Sequence, residues 1–480
     1  MAKVGCVVYR FGPYQLDSAG QRLIRGADPV PLHRRHLRIL HVLISHAGDV
    51  VAKEALIGAA WAHVAVTDNS LERAVSDIRK TLGVQPDGTS YIKKVKRHGY
   101  QFVAPVEHVD VEEKTVELAG RLAPFHARAD SPAQRDTLDV DAIAGPLPGL
   151  EDVARDAPGD AAIHIELAMA QALRFESTRA DPAPDRTALD QALDHAREGI
   201  RLAPASGEAW STLAFALSLA GNRRDAIAAG HKAVAHEPDN WRHHVRLGYV
   251  SWGEERLRAA QRALALLPDI PLAHWLAATV FIARGAFGAA LDHVRSGCAA
   301  QDVQRYGGPF RAVGLHLLHG LVLAAHNSPA AAIDEFRREL ESAHKTHLYA
   351  RECLANTCYS MGAVFLHRGR DQEARTAFQD ALRHIDGHAF ANVGLAALNG
   401  SLPAVIPNQQ ADPVDTAMVT AAALALGGSH HEAAAVFVDA IGLAEPGPAG
   451  WLLPVEPLIH VSTRPAAWTE ALAIVRLRAA

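Results

Sequence analysis

Apolar residues recur at helical spacing in the second half of the first hundred residues and predict two short amphipathic helices, at 53–61 and Asp68–Leu82. In the second helix, i, i+3, i+4, i+7 spacing produces one apolar stripe, which consists of Leu71, Ala74, Val75, Ile78 and Leu82. The opposite face is polar and of mixed charge, and it carries Asn69, Ser70, Arg73, Ser76, Asp77 and Lys80. A helix that reads base edges in a major groove needs such a face.

An extended pattern follows these helices and predicts a hairpin with strands at 91–96 and 100–104 around Gly99. The hairpin concentrates positive charge, which suits phosphates or a minor groove, at Lys93, Lys94, Lys96 and Arg97. Ahead of the helices, short strands are predicted at 9–16, 22–24 and 30–32, followed by a helix at 34–47. The first hundred residues are therefore predicted to form a small α+β domain.

The segments VVAKEALI, VTDNSLERAVSDIRKTLG and YIKKVKRHGYQF, with Trp61 between the first two, resemble the OmpR/PhoB-type winged helix-turn-helix family. The resemblance runs from about Tyr9 to Val103. It implies that the helix Asp68–Leu82 enters a major groove of DNA, and that the residues nearest the bases are Arg73, Ser76, Asp77 and Lys80. Asp77 departs from the basic residue often found there in the family, and it either accepts from cytosine or only orients a neighbour.

The same resemblance implies roles for other residues of this domain. Arg97, at the tip of the hairpin or wing, would enter the adjacent minor groove, with His98 beside it. Four residues would hold phosphates, namely Arg34, Arg35, Lys93 and Lys94. The loop 62–66 lies where the family can contact RNA polymerase, and binding of a homodimer to tandem DNA repeats is implied as well. On this analogy, activation of transcription is favoured over repression.

Charge separates this head from the rest of the chain. Residues 1–106 contain fifteen Lys/Arg and eight Asp/Glu, a formal charge of +7, which leaves −12 for the other 374 residues. Only the head is therefore expected to touch nucleic acid.

Four cysteines without framework spacing, the lack of a signal-peptide pattern and the lack of an apolar run of ~18–20 residues predict a cytoplasmic protein with no membrane partner. In this it would differ from membrane-anchored regulators that carry the same type of head.

Residues 107–160 are acidic at first and then rich in Pro, Ala, Asp and Gly, so a linker is expected there. The GxxxxGK[ST] motif does not occur in the sequence, and a P-loop nucleotide site is not predicted. No receiver domain is expected ahead of the head, so phosphorylation of a receiver aspartate is not the predicted switch.

Helical patterns recur from residue 161 to 480 with a period of about 34 residues. The clearest unit places large residues between paired helices and small ones where backbones approach, at Trp210, Leu213, Ala214, Leu217, Gly221, Ala226, Gly230, Ala233 and Pro238. Weaker copies start at Pro271, Ala355 and Val414, and the stretch 454–477 is expected to cap the array. The pattern resembles tetratricopeptide repeats. The predicted fold is thus mostly α: a winged helix-turn-helix at 1–106, the linker, and an α-solenoid of helix pairs at 161–480.

The array offers many histidines but no complete metal site in its sequence pattern. His316/His319 and His344/His347 are i, i+3 pairs, and one helical pair supplies only two of the three or four ligands that zinc requires. No metal, cofactor or catalytic residue is predicted. An effector or protein partner is expected on the concave surface instead, with candidate residues Ser211, His243, His244, Arg246, His274 and Asn356.

The predicted function is transcriptional regulation, in which the head binds double-stranded promoter DNA and the repeat domain senses a protein, peptide or small-molecule effector. The alternative is a tetratricopeptide scaffold or adaptor with a vestigial DNA-binding head. Retention of residues typical of a working head argues against that alternative, and these are Trp61, Asn69, Arg79, Gly99 and Tyr100. The sequence gives no positive sign of an enzyme.

Overall fold

The computed structural model divides the chain into two compact units, Met1–Asp130 and Ser131–Ala480. It describes residues 7–17, 22–25, 28–60, 68–85, 87–96, 98–110, 147–179, 181, 183–304, 312–342, 347–401 and 412–480. Among these residues, no helix is both long enough and apolar enough to cross a membrane.

The first unit contains strands, then helices, then strands. Its elements are β1 (Val7–Phe11), β2 (Tyr14–Asp17), β3 (Arg22–Arg25), β4 (Asp28–Pro29), α1 (Arg34–Ser45), β5 (Val50–Val51), α2 (Lys53–Ala60), α3 (Asp68–Leu82), β6 (Ile92–Val95), β7 (Gly99–Phe102) and β8 (Glu107–Asp110). The predicted helices and hairpin are confirmed to within two residues, and α3 agrees at both ends.

Two antiparallel sheets flank the three helices, with strand orders β4-β3-β2-β1-β8 and β5-β7-β6. The strand expected at 30–32 lies at Asp28–Pro29 instead, because the Val30 amide makes the last ladder bond to Leu23 and Pro31 has no amide to continue it. The predicted linker begins too early as well. Residues Glu107–Asp110 form β8 and pair with β1, so the chain closes this sheet before it leaves the head.

Aromatic side chains join the two sheets in the core of the head. Phe11, Tyr14, Tyr91 and Phe102 are buried, and their ring centres lie 5.2 to 6.2 Å apart. The Tyr14 hydroxyl also donates a hydrogen bond of 2.9 Å to the carbonyl oxygen of Leu82. Because Leu82 is the last residue of α3, this bond satisfies a carbonyl that the helix leaves open and fixes the helix end against the sheet.

The second unit is helical throughout its described part. Its α-helices are α4 (Leu147–Asp156), α5 (Ala161–Thr178), α6 (Arg186–Leu202), α7 (Gly207–Leu219), α8 (Arg223–His236), α9 (Trp241–Val250), α10 (Glu254–Leu266), α11 (Pro271–Ala283), α12 (Phe287–Gln304), α13 (Leu315–Ala325), α14 (Pro329–Ser342), α15 (Ala350–His367), α16 (Asp371–His384), α17 (Ala389–Leu398), α18 (Pro413–Leu426), α19 (His430–Leu443) and α20 (Thr469–Arg478). Short 3-10 turns at Leu453–Val455, Val461–Thr463 and Pro465–Trp468 precede α20. The described residues contain seven antiparallel pairs, from α5/α6 to α18/α19, with α17 between the last two pairs.

The linker predicted over 107–160 also ends earlier than expected. Helix α4 packs on α5 through its buried residues Leu147, Leu150, Val153 and Ala154. Glu151 of α4 accepts a hydrogen bond of 3.0 Å from the amide of Gln171 on α5. The sequence pattern missed this helix because Pro and Gly inside it indicate a loop, whereas burial of its apolar side overrides that local preference.

Close contacts between glycine and phenylalanine set the spacing of the helices. The Phe378 ring of α16 lies against Gly362 of α15 and Gly394 of α17, and a side-chain carbon at either glycine would collide with it. Gly320 and Phe336 repeat the arrangement in α13 and α14. Gly362 and Phe378 belong to the repeat unit predicted from Ala355, and their contact shows how a small and a large residue set the separation of two paired helices.

The end of the array folds back over its earlier helices. Trp468 is fully buried, as expected for a capping segment. The Arg284 guanidinium donates a hydrogen bond of 2.7 Å to the carbonyl oxygen of Ala479, which joins the end of α20 to the turn between α11 and α12. Further back, Arg179 near the end of α5 lies 3.1 Å from the Glu352 carboxylate on α15. The first and sixth helix pairs therefore touch, and the array curls around an interior space.

Candidate nucleic-acid interface

Helix α3 presents two distinct faces. Its apolar stripe is buried in the core of the head and consists of Leu71, Ala74, Val75, Ile78 and Leu82. On the opposite side Arg73, Ser76 and Lys80 are exposed, and their i, i+3, i+7 spacing places them in one row along the helix. Ser70 and Asp77 are half-buried at the margin of this row. The row offers guanidinium, hydroxyl and ammonium donors, which are the groups that contact base edges and phosphates.

Arg79 connects α3 to the three-stranded sheet. Its Nε and one terminal nitrogen donate hydrogen bonds of 3.0 and 2.8 Å to the carbonyl oxygen of Ile92, and its guanidinium lies 6.0 Å from the ring centre of Tyr100. β6 is the edge strand of this sheet, and the Tyr91 carbonyl oxygen accepts a hydrogen bond from the Val103 amide. Because successive carbonyl groups of a strand point in opposite directions, the Ile92 carbonyl oxygen points away from β7. Arg79 therefore donates to a carbonyl oxygen on the open side of the edge strand. No spacing rule in the sequence marks this contact.

The wing hairpin brings exposed cations close to α3. Lys93 and Lys94 are both exposed on β6. The Lys94 ammonium lies 2.8 Å from the Glu72 carboxylate of α3, so its charge is paired within the head. His98 is exposed in the turn. Gly99 has a φ of 140°, and a side-chain carbon there would overlap the carbonyl oxygen of Val51, so only glycine lets the hairpin pass β5.

The first turn of α1 lies near the polar row of α3. Arg35 is exposed there, as a phosphate contact requires. Burial lowers the pKa of the adjacent His36, and the Asp77 carboxylate opposes this shift. Asp77 is thus close enough to act on a charge at α1. Both roles of Asp77, accepting from cytosine and orienting a neighbour, stay predictions.

Several predicted contacts lie outside the described part of the chain. These are the side chains of Arg34 and Asn69, the whole of Arg97 and the loop 62–66. Their roles stay predictions. The members that the structure does describe fall on three adjoining elements, α1, α3 and the wing.

The effector groove predicted for the second unit needs correction at three positions. Ser211, His243 and His244 are buried, with exposed fractions of 7% or less. His243 Nε2 lies 3.1 Å from the Glu237 carboxylate, and His244 Nε2 lies 2.8 Å from the carbonyl oxygen of Pro238. The repeat pattern identifies positions that are not needed within a helix pair. His243 and His244 instead contact the turn after α8, in the neighbouring helix pair, which the pattern does not reveal, and Ser211 is closed off from solvent.

The other three groove candidates differ among themselves. Arg246 is half-buried with its guanidinium 4.1 Å from the ring centre of Phe215, and His274 Nδ1 lies 3.2 Å from His293 Nδ1. Both are therefore engaged within the array. Asn356 is exposed and lines the interior space of the second unit, and its Oδ1 lies 3.1 Å from His388 Nε2; its contact with an effector stays a prediction.

This interior space is a cavity of about 1660 Å³. Flat apolar surface is supplied by Trp275, Tyr359, Phe390 and Trp451. Carboxylates are more numerous than guanidinium groups along its walls, with Glu352, Asp386, Asp412, Asp415, Glu445 and Glu456 facing Arg179 and Arg223. Aromatic faces and negative charge together suit a ligand that carries N–H donors or positive charge.

Glu456 is the most deeply buried acid of the cavity wall. Its carboxylate contacts the Tyr359 hydroxyl and accepts a hydrogen bond of 2.7 Å from the Ile459 amide. Burial raises the pKa of Glu456 to about 7, although these hydrogen bonds act in the opposite direction. Burial therefore favours the protonated form of this carboxyl more than it does for an exposed glutamate.

Comparison with known proteins agrees with this geometry. Residues 27–102 match a protein-family model described as "Transcriptional regulatory protein, C terminal". Transcriptional activator CadC of Escherichia coli (strain K12) is 27% identical over 107 residues, and the cholera toxin transcriptional activator of Vibrio cholerae serotype O1 is 29% identical over 117 residues. The matches cover 22% and 23% of this chain but only 21% and 40% of those proteins, so the chain spans well under half the length of either relative.

A solved structure is similar over the same share of the chain. The DNA-binding domain of Klebsiella pneumoniae RstA, in complex with the RstA box, is 28% identical and covers 20% of this chain and 96% of that one, with a TM-score of 0.18. The family match includes α1, α3 and the wing hairpin, which carry the exposed polar row and the basic residues. The first unit is a winged helix-turn-helix domain whose residues 27–102 match the OmpR/PhoB-type family, and the helix pairs of the second unit resemble a tetratricopeptide array.

Proposed function

We propose that this protein is a bacterial transcriptional regulator that binds promoter DNA through its head and senses an effector through its helical array. The observation that supports this proposal most is the exposed row of Arg73, Ser76 and Lys80 on a helix that Arg79 fixes to a basic wing. A helix so presented enters a major groove while the wing follows the adjacent backbone. Because both curated relatives are named as transcriptional activators, we propose activation rather than repression.

The proposed contacts divide into two kinds. Arg73, Ser76 and Lys80 read base edges, whereas the exposed cations of the wing and of α1 hold phosphates and set the register. Arg97 enters the minor groove, the loop 62–66 meets RNA polymerase, and two copies bind tandem repeats. Because its ligand is DNA, we propose that the head lies in the cytoplasm.

The effector site of this proposal is the cavity of the second unit. Its volume of about 1660 Å³ exceeds what a single metabolite fills, which leaves room for a short peptide as well as for a small molecule. The excess of carboxylates favours positively charged ligands. A thermal-shift screen of cationic metabolites and peptides on the full chain would identify the class, since a ligand that binds only the folded state raises the midpoint.

DNA binding is tested with the full chain and a duplex from its own upstream region, by fluorescence anisotropy between 50 and 200 mM salt. Arg73→Ala should weaken binding to the upstream duplex by about 1–3 kcal/mol. Its binding to random-sequence DNA should stay nearly unchanged. Lys94→Ala should weaken both and reduce the slope of log K against log salt by about 0.9, the value of one phosphate contact. Arg22→Ala, an exposed cation on β3, is the charge-matched control.

Two results would contradict the proposal. Equal losses for Arg73→Ala and Lys94→Ala on both duplexes would reject the division between base and phosphate contacts. No preference for the upstream region over random DNA at any salt concentration would favour the alternative, a scaffold or adaptor whose head no longer reads DNA.

A further inference from the structure

Three helices of the second unit bring a cysteine, a histidine and a glutamate together. Cys298 lies on α12, His316 on α13 and Glu335 on α14, and their ligand atoms are all within 4.8 Å of one another. All three residues are buried, with exposed fractions of 6%, 1% and 9%. A metal site needs ligands that converge from separate elements, which these three helices supply and a pair of histidines on one helix does not.

We propose that Cys298 Sγ, His316 Nδ1 and Glu335 Oε2 bind a divalent transition-metal ion, for which zinc is the best match. Sulfur, imidazole and carboxylate ligands in one site suit zinc, whereas magnesium and calcium take oxygen ligands. The fourth position is left to water or to His319, whose Nδ1 lies 3.3 Å from Glu335 Oε2. The site joins the fourth and fifth helix pairs, and it does not depend on DNA binding by the head.

The two ring nitrogens of His316 provide an independent argument. Nδ1 lies 2.6 Å from Glu335 Oε2, and Nε2 lies 3.1 Å from Asp302 Oδ1. A neutral imidazole has only one N–H, so in the neutral ring one of these contacts sets a nitrogen lone pair against a carboxylate oxygen. A cation between Nδ1 and Glu335 removes this conflict. Asp302 then accepts from Nε2–H and orients the ring, as carboxylates commonly do for histidines that bind zinc.

Glu339 holds the histidine-bearing helix in place. Its side chain is fully buried and accepts hydrogen bonds from the backbone amides of Gly314 and His316, at 2.8 and 3.0 Å. The Leu317 amide adds a third, at 3.2 Å. The Leu315 amide donates to Gln301 of α12 at 3.2 Å, and the Glu339 carboxylate satisfies the other three amides, so the positions of His316 and Glu335 are fixed relative to each other before any ion binds.

The experiment uses the full chain, stripped with a chelator, and two probe ions. Zinc is titrated against a chromophoric chelator, and Co²⁺ is added separately because a thiolate ligand gives it a sulfur-to-cobalt charge-transfer absorption. We expect about one ion per chain and the thiolate absorption with cobalt. Cys298→Ser should abolish that absorption and lower zinc affinity, whereas Cys358→Ser, at another buried cysteine, should retain both.

Asp302→Asn is the second variant, chosen because its side chain is 57% exposed and the change leaves the core intact. It should lower zinc affinity by about 10–100-fold while the cobalt absorption persists, as expected for a residue that orients a ligand. Far-UV circular dichroism checks that each variant is folded. Failure of the wild-type chain to bind zinc, or retention of the thiolate absorption in Cys298→Ser, would overturn the proposal.

Discussion

Replacing Arg79 with methionine tests how the reading helix is held against the wing. The change removes both hydrogen bonds to the Ile92 carbonyl oxygen and the contact with the Tyr100 ring, while keeping an apolar stem of similar length. Hydrogen bonds from a charged donor contribute about 1.5–3 kcal/mol. A cation over an aromatic ring adds about 0.5–1 kcal/mol at a partly exposed site.

The expected loss is smaller than the sum of these contributions. The two bonds share one acceptor, and Arg79 is only half-buried, so water replaces part of what is lost. We therefore expect the junction of α3 and β6 to lose about 2 kcal/mol, which is about a 30-fold increase in its local opening equilibrium. The rest of the head should keep its stability, because the apolar stripe of α3 is untouched.

Hydrogen–deuterium exchange of the full chain measures this local opening. Peptides that cover 68–82 and 91–103 should exchange about 30-fold faster in Arg79→Met, while peptides from the second unit stay unchanged. Lys80→Met is the matched control, since it removes the same charge from the next residue, which is exposed. Its effect should stay within about 0.5 kcal/mol. If the two variants change exchange at these peptides equally, charge and not the tie to Ile92 is responsible, and the reasoning fails.

Three further predictions concern separate parts of the chain. Glu72→Gln removes the carboxylate that competes with DNA phosphate for Lys94, so random-sequence DNA should bind more tightly; an unchanged affinity in anisotropy titrations would count against it. Phe378→Ala should destabilise the array by about 3–5 kcal/mol in urea unfolding followed by circular dichroism, whereas the exposed Val303→Ala should have almost no effect, and similar midpoints for the two would refute the packing argument. Burial lowers the pKa of His388 to about 4, against about 6.5 in the unfolded chain, so the unfolded state takes up protons first and stability falls as the pH drops from about 6.5 towards 4, by up to about 3 kcal/mol. His388→Asn keeps a side chain that can cap α17 and should remove this part of the pH dependence; equal acid sensitivity in both proteins would exclude His388 as its source.

Local periodicity explains what the sequence predicts well. The stripe from Leu71 to Leu82 and the glycine at position 99 each depend on residues close in the chain, so the pattern itself contains the helix and the turn. The helix pairs are predictable for the same reason, because small and large residues recur at the same places in each unit. The exposed row of α3 follows directly from the stripe on its other side.

Contacts between distant residues explain what the sequence does not predict. Glu107 pairs with Arg10, although nearly the whole sequence of the head separates them, and nothing in the sequence around either residue indicates the pairing. Cys298 and Glu335 lie on either side of His316 and on different helices, so no short motif connects them. The burial of His243 depends on the neighbouring helix pair, which a pattern defined within one pair cannot contain. Each of these features is set by how elements pack and not by their own residues.

The ring of Phe378, seated between Gly362 and Gly394, has a consequence for motion in the array. Helices α15 and α17 meet on this one side chain, so neither can slide past the other without striking it. The same two helices supply Tyr359 and Phe390 to the cavity wall. That part of the wall therefore keeps its shape, and a bound molecule has to fit the spacing of Tyr359 and Phe390 as it stands.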